Sequence, residues 1–237
     1  MYLYDPDSGA LNRFSGAYPA GQAEMNRYSY LVIEGNIGAG KTSLSTLIAE
    51  KFNARLILEQ FAENPFLPKF YRDPERFSFP LELSFLAARY NQLHRELTSR
   101  ELFRTFTVAD YFFSKSLIFA KITLQPDEFN LYRTLFNIIH KQLPKPELYV
   151  YLHVEVDKLL ENISLRGREY EQSIEAGYLE KLQKGYFEYL RSLSGQKILV
   201  LDVNRLDFVG KKEDYQLVEQ VIFSREYQAG MNRVSLP

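Results

Sequence analysis

The sequence predicts an α/β chain of the three-layer P-loop type, a five-stranded parallel sheet flanked by helices and topped by a short lid. Three observations carry this expectation. Short apolar runs alternate with long helical stretches, the pattern of parallel strands joined by right-handed crossovers. A glycine-rich segment, Gly35 to Thr42, sits directly between the first such run and the first helix. The length, 237 residues at 46% hydrophobic and 25% charged, is enough for one substantial core and has none of the bias of a disordered chain.

Residues 1–27 mix Tyr, Gly, Pro, Ser and Asp with no helical or alternating period, and read as a flexible arm or the end of a linker; the domain proper is 28–237. Ser29 to Glu34 is the first strand, and Lys41 to Phe52 the helix after the glycine loop. Leu56 to Leu58 is the second strand, after which Asn64-Pro65-Phe66-Leu67-Pro68 interrupts regular structure. Pro74 opens a long helix in which Leu81, Phe85, Ala88, Leu93 and Leu97 recur at helical spacings, with Pro80 tolerable only near the first turn. Phe106 to Ala109 is the third strand, ending at Asp110. Helices follow over 113–122 and 127–142, stopped by Leu143-Pro144-Lys145-Pro146. Leu148 to His153 is the fourth strand, 156–165 a helix, 166–171 a charged segment and 176–193 a further helix. Ile198 to Asp202 is the fifth strand, and 212–223 the closing helix. Ligands of such sheets gather at the carboxyl ends of the strands.

A net charge of -1 leaves no global field to draw the chain onto a nucleic acid polymer or an anionic membrane, and suits a small anionic ligand better. The absence of cysteine excludes disulfides, thiolate metal sites and a cysteine nucleophile. His94, His140 and His153 have no metal-ligand spacing. No run is long enough to span a bilayer and the N-terminus lacks signal-peptide blocks, so the expected address is the cytoplasm.

Gly35-Asn36-Ile37-Gly38-Ala39-Gly40-Lys41-Thr42 fits GxxxxGK[ST] in the strand–loop–helix context that gives the motif its meaning. Glycines let successive N–H groups turn inward toward phosphate oxygens, and the following helix adds its partial positive charge. Lys41 is expected on the β- and γ-phosphates of ATP and the Thr42 hydroxyl at Mg2+, with Ser43 completing the nucleotide contacts. An Asp at a strand end beside such a loop commonly completes the magnesium site, which places Asp110 there.

The stretch from Ile33 to Thr42 resembles the opening of the deoxynucleoside kinases, and the similarity continues through four more segments to Asp202-Val203-Asn204. The resemblance implies transfer of the ATP γ-phosphate to the 5′-hydroxyl of a deoxynucleoside, with a purine slightly favoured by the bacterial-type Asn64-Pro65 segment, and a homodimer. Glu59 matches the carboxylate that accepts or orients the 5′-hydroxyl proton, Tyr71 a residue that binds the 3′-hydroxyl, and Glu82 and Arg89 the pair that addresses the base. The family usually carries Gln at the first of these two positions; an ionised Glu only accepts. Arg166 and Arg168 match lid arginines that close on the phosphates, Glu171 a residue near the 3′-hydroxyl, and Asp202 and Asn204 the loop around the adenine of ATP. Two family arginines are missing. Tyr111 follows Asp110 where an arginine is expected, and Asn162 replaces the first lid arginine, so Lys115 or Arg166 must take over the lost charge. Two other readings stay open at this point. A thymidylate-type nucleoside monophosphate kinase partly fits Asp110-Tyr111, and a nucleotide-binding regulatory subunit fits the lost cations.

Overall fold

The apolar run before the glycine loop is strand β3 (Tyr30–Gly35), all six residues of it buried at the middle of the sheet. The computed structural model describes residues 2–4, 11–13, 28–60, 64–98, 104 and 106–236. Around β3 lie β4 (Arg55–Ile57), β5 (Thr107–Ala109), β6 (Leu148–His153), β7 (Lys197–Asp202) and β8 (Gly230–Ser235), with β1 (Tyr2–Tyr4) and β2 (Leu11–Arg13) beyond β8; the order is β2-β1-β8-β7-β6-β3-β5-β4. The six strands from β4 to β8 across the sheet are parallel, and β1 and β2 are antiparallel. The expected count of five parallel strands is therefore one too low. The sixth, β8, reads Gly-Met-Asn-Arg-Val-Ser, too polar to stand out, and is held by its full register with β7. Most of the expected N-terminal arm lies outside the described residues; its two described tripeptides pair with each other and with β8.

The helices are α1 (Lys41–Phe52), α2 (Leu67–Arg72), α3 (Pro74–Thr98), α4 (Lys115–Thr123), α5 (Pro126–His140), α6 (Val156–Arg166), α7 (Ala176–Ser192) and α8 (Lys212–Phe223). Alternation along β3 divides the core. Leu31 and Ile33 pack with Leu44, Ile48, Ile163 and Ile222 of α1, α6 and α8, whereas Tyr30 and Val32 pack with Leu86, Ile118, Phe136 and Tyr186 of α3, α4, α5 and α7. Two local expectations change. The Asn64–Pro68 interruption holds over residues 64–66 and ends at Leu67, where α2 begins with Pro68 in its first turn, the place a helix tolerates it. Pro80 lies six residues inside α3, deeper than the first turn, and the helix runs through it with Leu81 and Phe85 packed on Phe70. Among the described residues no helix is long and apolar enough to cross a membrane.

Candidate active site

The start of α1 is shaped to receive an anion. Its N-cap is Gly40, in the left-handed region with φ 83°, without a capping side chain, and the first turn has no acidic residue, so its N–H groups stay available. A Cβ at Gly40 would meet the Phe208 ring at 2.7 Å, and one at Gly38, also at φ +83°, the Leu159 carbonyl at 2.8 Å; larger residues would displace the loop. Asparagines brace it from outside. Asn36 donates to the Leu179 carbonyl at 2.8 Å and accepts from the Ile37 N–H, and Asn162 donates to the Gly38 carbonyl at 2.8 Å. The residue standing for the first lid arginine thus supports the loop backbone. Lys41 rests on the Asn36 carbonyl at 2.8 Å, and burial, reinforced by the charge of Lys115, pushes it down to about 8. Ser43 is half-buried in the next turn and does not line the cleft.

Three strand ends converge beside this loop. The Thr42 hydroxyl donates to Asp110 Oδ2 at 2.6 Å, and Asp110 Oδ1 accepts the backbone N–H of Glu59 at 2.7 Å, so one carboxylate joins the phosphate loop to the segment after β4. Burial raises the Asp110 carboxyl, with the Thr42 bond acting against it. Glu59 accepts from Arg89 through Nε (2.9 Å) and Nη2 (2.7 Å) on one oxygen and from Lys115 on the other. Burial alone would raise the Glu59 carboxyl, but the charges and hydrogen bonds of Lys115 and Arg89 prevail and hold it at about 2. Lys115, the first residue of α4 and only 7% exposed, thus supplies a buried positive charge to Glu59. Tyr111 itself is fully buried and donates to Gln92 at 2.8 Å, whose amide holds the Leu58 carbonyl, so it braces the segment that carries Glu59.

From Glu59 the cleft runs toward α3. It encloses an empty volume of about 780 Å3, solvent at its mouth included. Glu82 and Arg89, 2% and 4% exposed, lie in its wall, with the Arg89 guanidinium 4.7 Å above the Phe85 ring and bonded to Ser116. Glu82 Oε1 accepts from Thr123 at 3.0 Å, while Oε2 is buried without a hydrogen-bond partner. Burial pushes Glu82 up to about 7 against the pull of Arg89. At the mouth, Tyr71 stacks on Tyr170 with centroids 6.0 Å apart, and Glu171 accepts from both Arg166 and Arg168. The cleft thus brings together Lys41, Thr42, Glu59, Asp110 and Lys115 at one end with Tyr71, Glu82, Arg89 and the lid residues at the other.

Asp202 and Asn204 lie apart from it. Asn204 donates to Asp202 at 2.8 Å and accepts the Glu155 N–H at 2.6 Å, a brace for the loop that brings Phe208 onto Gly40. Sequence reasoning passed over Thr123 and Ser116, which carry no motif, and Glu34, whose signal was a carboxylate at the end of an otherwise apolar strand.

The chain is similar to known proteins along most of its length. The family model described as Deoxynucleoside kinase matches residues 31–224. The deoxyguanosine kinase of Bacillus subtilis (strain 168) is 37% identical over 200 residues, 82% of this chain and 96% of the relative. The deoxyadenosine kinase of Dictyostelium discoideum is 28% identical over 214 residues, 88% of this chain and 84% of that one. A solved deoxyadenosine kinase from M. mycoides, with the products dCMP and a flexible dCDP bound, superposes with a TM-score of 0.72 at 26% identity, covering 83% of this chain and all of the other. With the phosphate loop, the buried carboxylate after β4 and the Glu82–Arg89 pair on α3 all inside the matched span, the chain belongs to the deoxynucleoside kinase family.

Proposed function

We propose that this kinase transfers the γ-phosphoryl group of ATP, with Mg2+, to the 5′-hydroxyl of purine deoxynucleosides, and that it prefers guanine. The observation that carries the preference is the bare buried Oε2 of Glu82 in the cleft wall. Guanine presents two donors, N1–H and the N2 amino group, to a carboxylate that only accepts; adenine presents an acceptor at N1, which an anion repels. Arg89 brings donors to the same end of the cleft, suited to guanine O6 and N7 and not to the adenine amino group. The 37% identity to a protein named deoxyguanosine kinase supports the same reading.

Within that reaction Glu59 orients the 5′-hydroxyl and takes up its proton, Lys41 with Arg166 and Arg168 neutralises the phosphates, and Tyr71 and Glu171 receive the 3′-hydroxyl. The backbone near Asp202 and Asn204 receives the adenine of ATP. Asp110 and Thr42 fit Mg2+: both are hard oxygen donors, already 2.6 Å apart, and magnesium usually takes one or two protein oxygens and leaves the rest to phosphate and water. The ion, when bound, supplies charge neutralisation of the phosphates. Of the two missing cations, which motivated the regulatory-subunit reading, Lys115 on Glu59 supports compensation of the first; Asn162 is neutral and braces the loop backbone instead. A coupled assay of ADP release on the four deoxynucleosides tests the proposal. Deoxyguanosine should give the highest kcat/KM, followed by deoxyadenosine; a pyrimidine in first place would refute it.

The cytoplasm and a homodimer belong to the same proposal. Leu131 and Ile138, two turns apart on α5 and 55% and 60% exposed, form an apolar stripe with no partner among the described residues. Light scattering should give twice the chain mass of 27.8 kDa, and the Leu131→Glu/Ile138→Glu variant the mass of one chain.

A further inference from the structure

Glu34 is 0% exposed, on the face of β3 shared with Tyr30 and Val32, where the pattern calls for an apolar side chain. A buried carboxylate is costly unless donors surround it. Three do, from three different elements. Gly35, the first residue of the phosphate loop, donates its N–H at 3.3 Å; Phe112, two residues beyond Asp110 and three before Lys115, donates its N–H at 2.9 Å; the Tyr186 hydroxyl of α7 donates at 3.0 Å. Both oxygens only accept in this arrangement. Burial raises the carboxyl while the nearby charges of Lys115 and Lys41 draw it down.

We propose that Glu34 is a positioning residue for phosphoryl transfer: its carboxylate fixes the distance between the phosphate loop and the Asp110–Lys115 segment, and anchors both to α7. Without it the two halves of the site, the cradle for the triphosphate and the groups around Glu59, keep the pairing of β3 with β5 and the Thr42–Asp110 bond, but lose the carboxylate that ties the start of the loop directly to Phe112. Misplacement of reacting groups by about 1 Å costs on the order of 10²-fold in rate. The base-reading end of the cleft, Glu82 with Thr123, makes no contact with Glu34 and would be spared.

The inference rests on the phosphoryl-transfer reading of this cleft, and the test separates the two. Glu34→Gln keeps the size but turns an amide N–H toward donors that need an acceptor. We expect kcat to fall roughly 10²-fold and calorimetric ATP affinity to fall several-fold, while KM for the deoxynucleoside moves less than about threefold. Tyr186→Phe removes one donor of the three and should lower kcat by about fivefold, again at unchanged nucleoside KM. Glu34→Asp, which keeps the charge, should recover part of the ATP affinity. A Glu34→Gln protein with unaltered kcat and ATP affinity, or with nucleoside KM rising in step with the loss of kcat, would overturn the proposal. Should that variant fail to fold, an unaltered kcat in Tyr186→Phe decides against it. Failure of the wild-type chain to turn over would instead count against the underlying reading.

Discussion

Replacing Glu59 by Gln should lower kcat by about 10³-fold while leaving nucleoside KM within a few-fold, because the carboxylate acts on the reacting hydroxyl and not on the base. Its role follows from its state. Held at about 2 by Lys115 and Arg89, Glu59 is an anion at any assay pH, so the rate should show no inflection from it between pH 5 and 9. A group so acidic is a poor base in the resting cleft. In the proposed reaction its main contribution would therefore be alignment of the 5′-hydroxyl toward the γ-phosphate, which is most of what phosphoryl transfer asks of a protein. The variant will also lose stability, since Arg89 and Lys115 are 4% and 7% exposed and would face each other without their counter-charge; breaking a buried pair costs about 3–5 kcal/mol. Circular dichroism at the assay temperature separates that loss from the kinetic one. Retention of more than a tenth of wild-type kcat would remove Glu59 from the reaction.

Replacing Glu82 by Gln should reverse the choice of base. The amide both donates and accepts, so it can meet adenine, and we expect kcat/KM for deoxyguanosine to fall about 10²-fold with deoxyadenosine overtaking it. Wild-type selectivity should also depend on pH. Burial holds the Glu82 carboxyl at about 7. Above that value it is an anion and accepts from guanine; below it the acid form carries a proton where guanine presents its own. Thus kcat/KM for deoxyguanosine should drop by about tenfold from its plateau at one unit below the pKa, while that for deoxyadenosine holds or rises. The Glu82→Gln variant should show a flat ratio. A pH-independent ratio in the wild type would place the titrating group elsewhere.

The elements that were legible in the sequence share one physical property, a contrast strong enough to see locally. β3, β6 and β7 each hold an apolar run of four or five residues, and the phosphate loop is defined by glycines whose neighbours, Phe208 and the Leu159 carbonyl, leave no room for a side chain. β8 was not legible because its residues alternate weakly and its place is set by β7. At the site, motif residues such as Glu59, Asp110 and Arg89 stood out, yet their charge balance did not. That Lys115 and Arg89 share one carboxylate, or that Tyr111 reaches Gln92, depends on contacts between α3, α4 and the end of β4 that no spacing along the chain encodes. Glu34 was visible as an oddity but silent as to purpose, since its donors come from residues 35, 112 and 186.

The pairing of Glu171 with Arg166 and Arg168 bears on what the open enzyme ignores. Two guanidiniums at a cleft mouth would trap stray inorganic anions, but here each already donates to the Glu171 carboxylate, from the short helical turn that follows α6. Simple phosphate or sulfate must break that association unaided and should compete feebly with ATP. In the proposed reaction a nucleoside whose sugar engages Glu171 would loosen it first, so that the entrance would discriminate by chemistry before any phosphoryl group moves.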